Sequence, residues 1–145
     1  MLIGRSNLSI NENGQLVLPP AYREAAKEGA FLTMGFDRNL LLIPGAVFQN
    51  ILNYISSLSI TDPLARSLMR FFLGNAMEIS LDAENKISIP RELREFAGIE
   101  QELVVIGQGE YSEIWAPGSW NKQAQALQSP DANSDRFSGL FIAVA

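Results

Sequence analysis

Apolar and polar positions alternate in short bursts along this chain, and Pro, Gly and Asn punctuate the bursts. The most sharply patterned stretch is 80–98. Leu81 precedes a polar run over 82–86 that predicts a tight turn. Asn85 suits that turn, because Asn enters the left-handed backbone region at low cost. Ile87 and Ile89 alternate with Ser88, the period of a half-buried strand. Pro90 has no N–H and ends the ladder. Leu93, Phe96 and Ala97 share one face of a predicted helix over 91–97, and Gly98 stands at its C-terminal stop.

The pattern occurs twice. Ile10, Asn11, Gly14 and Gln15 correspond to Leu81, Asp82, Asn85 and Lys86. Leu16, Leu18 and Pro19 correspond to Ile87, Ile89 and Pro90, and Arg23, Glu24 and Ala26 to Arg94, Glu95 and Ala97. A constant offset over so many positions marks an internal duplication. The correspondence continues with Phe31-Leu32-Thr33-Met34-Gly35 against Leu103-Val104-Val105-Ile106-Gly107. It ends with Leu42-Ile43-Pro44-Gly45 against Trp115-Ala116-Pro117-Gly118, after a small gap.

The rest of the chain falls into place around the two copies. Asn13-Gly14 predicts a hairpin over 8–18. A short helix follows over 21–27, then strands over 30–34 and 39–43 and a helix over 46–58. Asp62 reads as an N-cap with Pro63 at the first helical position, opening a helix to about Leu73. Leu64, Leu68, Phe71 and Phe72 make its apolar face, and Arg66 and Arg70 lie on another side. The second half predicts strands over 77–81, 86–89, 102–106 and 112–115, then a helix from Ser119, its N-cap, to about Leu127. The polar run over 128–138 reads as a flexible tail. The apolar end over 139–145 reads as a docking segment for a neighbouring surface, the alternative being an exposed sticky end. The expected organisation is a first repeat over 1–54, a linking helical segment over 55–76, a second repeat over 77–127 and a tail over 128–145.

Composition narrows the chemistry. The chain has 145 residues, 47% of them hydrophobic, which is enough for a real core. No apolar run approaches the roughly 18 residues of a membrane span, and the N-terminus lacks the regions of a signal peptide. There are no cysteines and no histidines, so disulfides, thiolate or imidazole metal sites and histidine-based catalysis are excluded. No Gly-rich loop precedes a helix in a phosphate-binding arrangement. Gly107-Gln108-Gly109 reads as a turn between strands. Glu92/Glu95 and Glu100/Glu102 read as surface carboxylates, and Trp115 and Trp120 as core. Arg23 and Arg94, at equivalent positions next to Glu24 and Glu95, read as structural ion-pair residues. No enzyme, metal site, cofactor or small-molecule ligand is expected.

Net charge is −5. Residues 1–75 hold six Lys/Arg and five Asp/Glu; residues 76–145 hold five and eleven. An acidic chain is a poor non-specific binder of nucleic acid. Any DNA contact must therefore come from a local basic patch, repeated by oligomerisation.

Four stretches carry a family resemblance: Leu-Pro-Pro-Ala-Tyr-Arg-Glu (18–24), Arg-Phe-Phe-Leu-Gly-Asn-Ala (70–76), Ile-Pro-Arg-Glu-Leu-Arg-Glu-Phe-Ala-Gly (89–98) and Glu-Ile-Trp (113–115). In that order and spacing they resemble the MraZ family of the bacterial division and cell-wall gene cluster, over roughly residues 1–127. The resemblance implies an α+β fold: two swapped-hairpin repeats of the AbrB type, intertwined into one pseudo-symmetric unit and bridged by a helical hairpin. It implies a DNA-binding transcriptional regulator acting on short direct promoter repeats upstream of that cluster. It also implies a closed homo-oligomeric ring, cytoplasmic and nucleoid-associated, with no membrane contact.

The family's turn reads Asp-x-x-Gly-Arg. Here the first turn has Asn11, Gly14 and Gln15, and the second has Asp82, Asn85 and Lys86. Lys86 stands where the family has arginine and is the leading DNA-binding candidate; it can neutralise a phosphate but lacks the guanidinium fork. Gln15 can hydrogen-bond a base edge, and Arg5 lies beside the first turn as a further basic candidate. The altered turns and the acidic balance support an alternative: a ring-forming interaction protein with the same fold that has weakened or lost DNA binding.

Overall fold

The structure is a computed structural model and describes residues 1–140. The elements are β1 (Arg5–Ser9), β2 (Gln15–Val17), α1 (Pro20–Ala26), β3 (Ala30–Met34), β4 (Leu40–Pro44), α2 (Gly45–Ser56), α3 (Pro63–Leu68) and a π-helical turn (Met69–Leu73). They continue with β5 (Met77–Ile79), β6 (Lys86–Ser88), α4 (Arg91–Ala97), β7 (Glu102–Gly107), β8 (Ser112–Trp115), α5 (Pro117–Ala126) and α6 (Pro130–Arg136). The fold is α+β and antiparallel. A sheet in the order β1-β7-β8-β4-β3-β5 packs with a separate ribbon of β2 and β6.

The predicted hairpin over 8–18 keeps its turn but not its ladder. β1 leaves β2 and pairs with β7 of the second half, while β2 pairs with β6. β5 likewise leaves β6 and pairs with β3. Burial explains the exchange. β2 and β6 are three residues long, and each has one inward side chain, Leu16 or Ile87. A strand that short has little of its own half to bury against. Across the halves Leu16 and Ile87 sit directly opposite one another and are both sealed from water.

The registers define an approximate two-fold between the halves. Leu16 opposes Ile87 in the ribbon, and Leu41 opposes Glu113 in the sheet centre; both pairs lie on the axis. Ala30 pairs with Ile79 as Leu103 pairs with Leu8. Ala30, not Phe31, is therefore the counterpart of Leu103. The one-residue difference matters because a slip of one turns every side chain to the other face. Ala30 and Leu103 both face the main core, whereas Phe31 stacks on Phe48 beneath α2, ring centroids 4.0 Å apart.

That main core lies between the sheet and the ribbon. It joins Leu16, Leu18, Ile87 and Ile89 to Leu32, Leu42, Leu103, Val105 and Ile114, with Tyr22 of α1 and Leu93 of α4 closing the ends. On the other sheet face α2 and the π-helical turn cover Leu41 and Ile43 with Phe48, Ile55 and Phe72. Val104, Ile106 and Trp115 lie under Trp120 of α5.

Four helical expectations are corrected. The helix opened by Asp62, whose side chain accepts from Leu64 N, widens into the π-helical turn before Leu73. The Phe72 carbonyl, one of those a helix end leaves without an intrahelical partner, accepts from the buried Thr33 hydroxyl at 2.7 Å. Leu64 is not on the apolar face; it is 78% exposed. Helix α5 starts at Pro117 behind Ala116, and Ser119 does not cap it. The predicted flexible tail contains α6, where Ser129 accepts from Ala132 N and Pro130 takes the first turn. The signal is the same as Asp62-Pro63, but polar composition masks it. Of the apolar end, residues 141–145 lie outside the described residues.

The axial contact yields a stability test. Leu16→Ala and Ile87→Ala should each destabilise by about 3 kcal/mol in urea unfolding, the range for truncating a buried aliphatic side chain. The double variant should lose less than the sum, because each single change already removes the shared contact. Additive losses would place the two side chains in independent environments.

Candidate nucleic-acid interface

The two turns are built alike from different residues. Asn11 Oδ1 accepts from Asn13 N and Gln15 N, both at 2.9 Å. Asp82 Oδ1 accepts from Glu84 N at 2.8 Å and Lys86 N at 2.9 Å. A short polar side chain that caps its own turn this way competes with regular structure and fixes the loop. Gly14 N donates to Asn11 O and Asn85 N to Asp82 O, each at 3.0 Å. The fourth position is left-handed in both, with φ 74° at Gly14 and 63° at Asn85. Asn85 does here what glycine does in the first turn.

Strand alternation then sets the direction of the next residues. Leu16 and Ile87 point into the core. Gln15, Val17, Lys86 and Ser88 stand on the outer side of the ribbon, with Gln15 opposite Ser88 and Val17 opposite Lys86. The structure thus brings Gln15 and Lys86, from opposite halves, onto one surface. An open cleft beside that ribbon is lined by both, together with Arg91, Arg94, Asp82 and Glu78. Arg5 is not among them. It begins the edge strand β1 opposite Ile106, at the end remote from the turn.

Charge at this surface is partly spent in local pairs. Lys86 Nζ lies 2.8 Å from Glu84 Oε2. That hydrogen bond, and then the charge of Glu84, hold the Lys86 ammonium above its usual value, so it stays charged. The N–H of Lys86, against an opposing desolvation and helped by the N–H of Glu84, holds the Asp82 carboxyl below its usual value. Gln15 Oε1 accepts from Asn11 Nδ2 at 3.1 Å.

Arg23 and Arg94, expected as structural ion-pair residues, make no ion pair among the described residues, and neither pairs with the glutamate beside it in sequence. Neighbouring residues on a helix do not face each other, whereas residues three or four apart do. Arg91 takes Glu95 at 2.9 Å, and Lys27 takes Glu24 at 2.6 Å. Arg94 instead donates Nε to the Ile89 carbonyl at 3.0 Å. Its presence in the cleft, with Arg91, was not read from the sequence; the available signal was its place, matched to Arg23, one helical turn after the proline of each repeat.

Among the described residues no cluster of His, Cys, Asp or Glu has the geometry to hold a metal ion, and no helix is long and apolar enough to cross a membrane.

The MraZ family model, described as "MraZ protein" and "antitoxin-like", matches the chain twice, over residues 1–71 and 72–138. A protein named "Transcriptional regulator MraZ" from Thermomicrobium roseum is 40% identical over 127 residues, which span 88% of this chain and 89% of the relative. A protein of that name from Roseiflexus castenholzii is 36% identical over 137 residues, 94% of each chain. Another from Deinococcus radiodurans is 32% identical over 135 residues, 93% of this chain and 95% of its own.

Asp82 offers a pH test of the turn. Its folded-state pKa is depressed, so its contribution is present above the unfolded carboxyl value and is lost as pH falls through the folded value. Asp82→Asn keeps the acceptor, as Asn11 does, and removes the titration. Urea unfolding from pH 7 down to below the carboxylate range should show wild type losing more stability than Asp82→Asn. Parallel profiles would mean that the Asp82 charge does not matter to the turn.

Proposed function

This chain belongs to the MraZ family, and from that premise we propose that it is a DNA-binding transcriptional regulator and not an enzyme. The ribbon presenting Gln15 and Lys86 on one outer surface, diagonally across it, is the observation that carries the reading. Lys86 supplies a phosphate contact, and Gln15 supplies the donor and acceptor that a base edge accepts. Arg5 contributes at most peripheral charge. The sites are short direct repeats upstream of the division and cell-wall gene cluster, and the protein works in the cytoplasm at the nucleoid.

One ribbon has little charge, so the reading includes a ring of identical chains. Repetition lets weak contacts add through effective concentration. Ring closure needs a heterologous contact. An apolar groove lined by Phe36, Leu41, Ile51, Leu68 and Tyr111, and the exposed Ile60 and Leu64, support self-assembly.

A second reading is favoured by one feature: the Lys86 charge is already shared with Glu84, and the position matched to it holds neutral Gln15. On that reading the protein is a ring-forming interaction partner whose DNA binding is weakened or lost.

Titration of labelled promoter DNA at two salt concentrations separates them. Lys86→Ala should weaken binding for all sequences and flatten the salt dependence by roughly one contact per engaged subunit. Gln15→Arg should strengthen it, by adding a phosphate contact and a guanine-reading fork. Binding that Lys86→Ala leaves untouched would place the contact elsewhere. Absence of wild-type binding at low salt, restored by Gln15→Arg, would establish the second reading.

Light scattering at micromolar concentration should give a homo-oligomer larger than a dimer. A monomer throughout would remove the ring from both readings.

A further inference from the structure

Inside each turn the hydrogen bonds match, but the grip of the opposite half on the two turns differs. Gly14 O accepts from Ile89 N at 2.9 Å; its counterpart, Asn85 O, accepts from Leu18 N at only 3.5 Å. Arg94 donates to Ile89 O at 3.0 Å, and among the described residues Arg23 makes no matching bond to Leu18. Gly14 is buried and Asn85 is exposed.

We propose that Arg94 is a positioning residue: from the second half it locks the Gly14 turn of the first half, and so sets the aim of Gln15, while the Asn85 turn is left open. The consequence for DNA rests on the regulator reading; the lock itself does not.

The steric account is direct. A Cβ added at Gly14 would meet Arg94 Cζ at 2.9 Å and Ile89 O at 2.9 Å. The Arg94 guanidinium thus lies against a glycine face that any side chain would fill. At the pseudo-equivalent seat Asn85 carries that Cβ. The room that Arg94 uses is taken, the Leu18 bond is long, and Arg23 is left outside. With its Nε committed to Ile89 O, Arg94 acts on the surface through the turn.

The lock makes Gln15 and Lys86 unequal. Gln15 follows a turn held by the Ile89 N–H of the other half and packed against the Arg94 side chain, which Ile89 O fixes within that half. Lys86 follows a turn held by its own Asp82 and, from the other half, only by the long Leu18 bond. A residue that reads a base edge needs a fixed direction, whereas a point charge against a phosphate tolerates movement.

Amide hydrogen exchange tests the lock without DNA. In Arg94→Ala the Ile89 and Gln15 amides should exchange about tenfold faster, with Lys86 unchanged, as expected for loss of one charge-assisted bond. Arg94→Lys should do the same, since an ammonium lacks the planar face and Nε geometry. Asn85→Gly should act in reverse: Arg23 closes over the second turn, and Leu18 exchanges about tenfold more slowly. Unchanged exchange in all three would overturn the proposal, and a variant that fails to fold leaves the other two to decide.

DNA titration adds a readout that a direct phosphate contact would move differently. Positioning predicts weaker binding with the salt slope unchanged in both Arg94 variants. A slope lowered by about one in Arg94→Ala and restored in Arg94→Lys would make Arg94 a phosphate contact and overturn the assignment. If wild type binds no DNA at low salt, the regulator reading fails, while the exchange rates still decide the lock.

Discussion

The contact between Leu16 and Ile87 is the point on which the architecture turns. Each is the single inward side chain of a three-residue strand, and each is buried only because the other half supplies its partner. Two elements that short bury too little apolar area to hold as an independent hairpin. Exchanging partners solves this for both halves at once and commits β1 to β7 and β5 to β3. The six-stranded sheet, the core beneath it and the position of both turns follow from that exchange. A loss at the ribbon is therefore felt in two distant strand pairs.

The same exchange couples structure to surface chemistry. The residue after each turn faces outward because the next one must face the core. Gln15 and Lys86 arrive on one surface for the reason that Leu16 and Ile87 arrive at one buried contact. Each half contributes one of the outward pair, so neither half alone carries the surface. The balance of charge there is local: Glu84, Asp82 and Glu78 lie close to Lys86, and a basic site in an acidic chain must work against them.

Much of the fold was legible because its signals are local. The repeat, both turns, the proline-stopped strands, the Gly98 stop with its φ of 69° and the Asp62 cap depend on residues close in sequence. Strand pairing was not legible. Period-two alternation tells which side chains face inward but not which strand lies alongside, so the turn at Asn13-Gly14 implied a ladder that β1 and β2 do not make. Comparing Phe31 with Leu103 by similarity missed a one-residue difference that only register reveals. The π-helical turn was not legible, because apolar spacing over 62–73 fits an ordinary helix and does not mark the widening. At the candidate site, Gln15 and Lys86 were singled out because they stand at the arginine position of the resembled family's turn, and register sets both on one outer surface. Arg94, read as a structural ion-pair residue, instead bonds a backbone carbonyl, a partner that sequence spacing does not show.

The two-fold through Leu41 and Glu113 has a further consequence. A residue on such an axis in a dimer of identical halves faces its own copy. A pair of chains each made only of the second half would set Glu113 directly against Glu113, two like charges in cross-strand register at the centre of the sheet. In the fused chain that position faces Leu41, and the carboxylate is occupied by Gln108 Nε2 and Trp115 Nε1, both at 3.0 Å. Joining the halves covalently thus removes a constraint that symmetry would impose. The axial positions can diverge because one gene encodes both sides of the axis, and here one side holds leucine and the other glutamate.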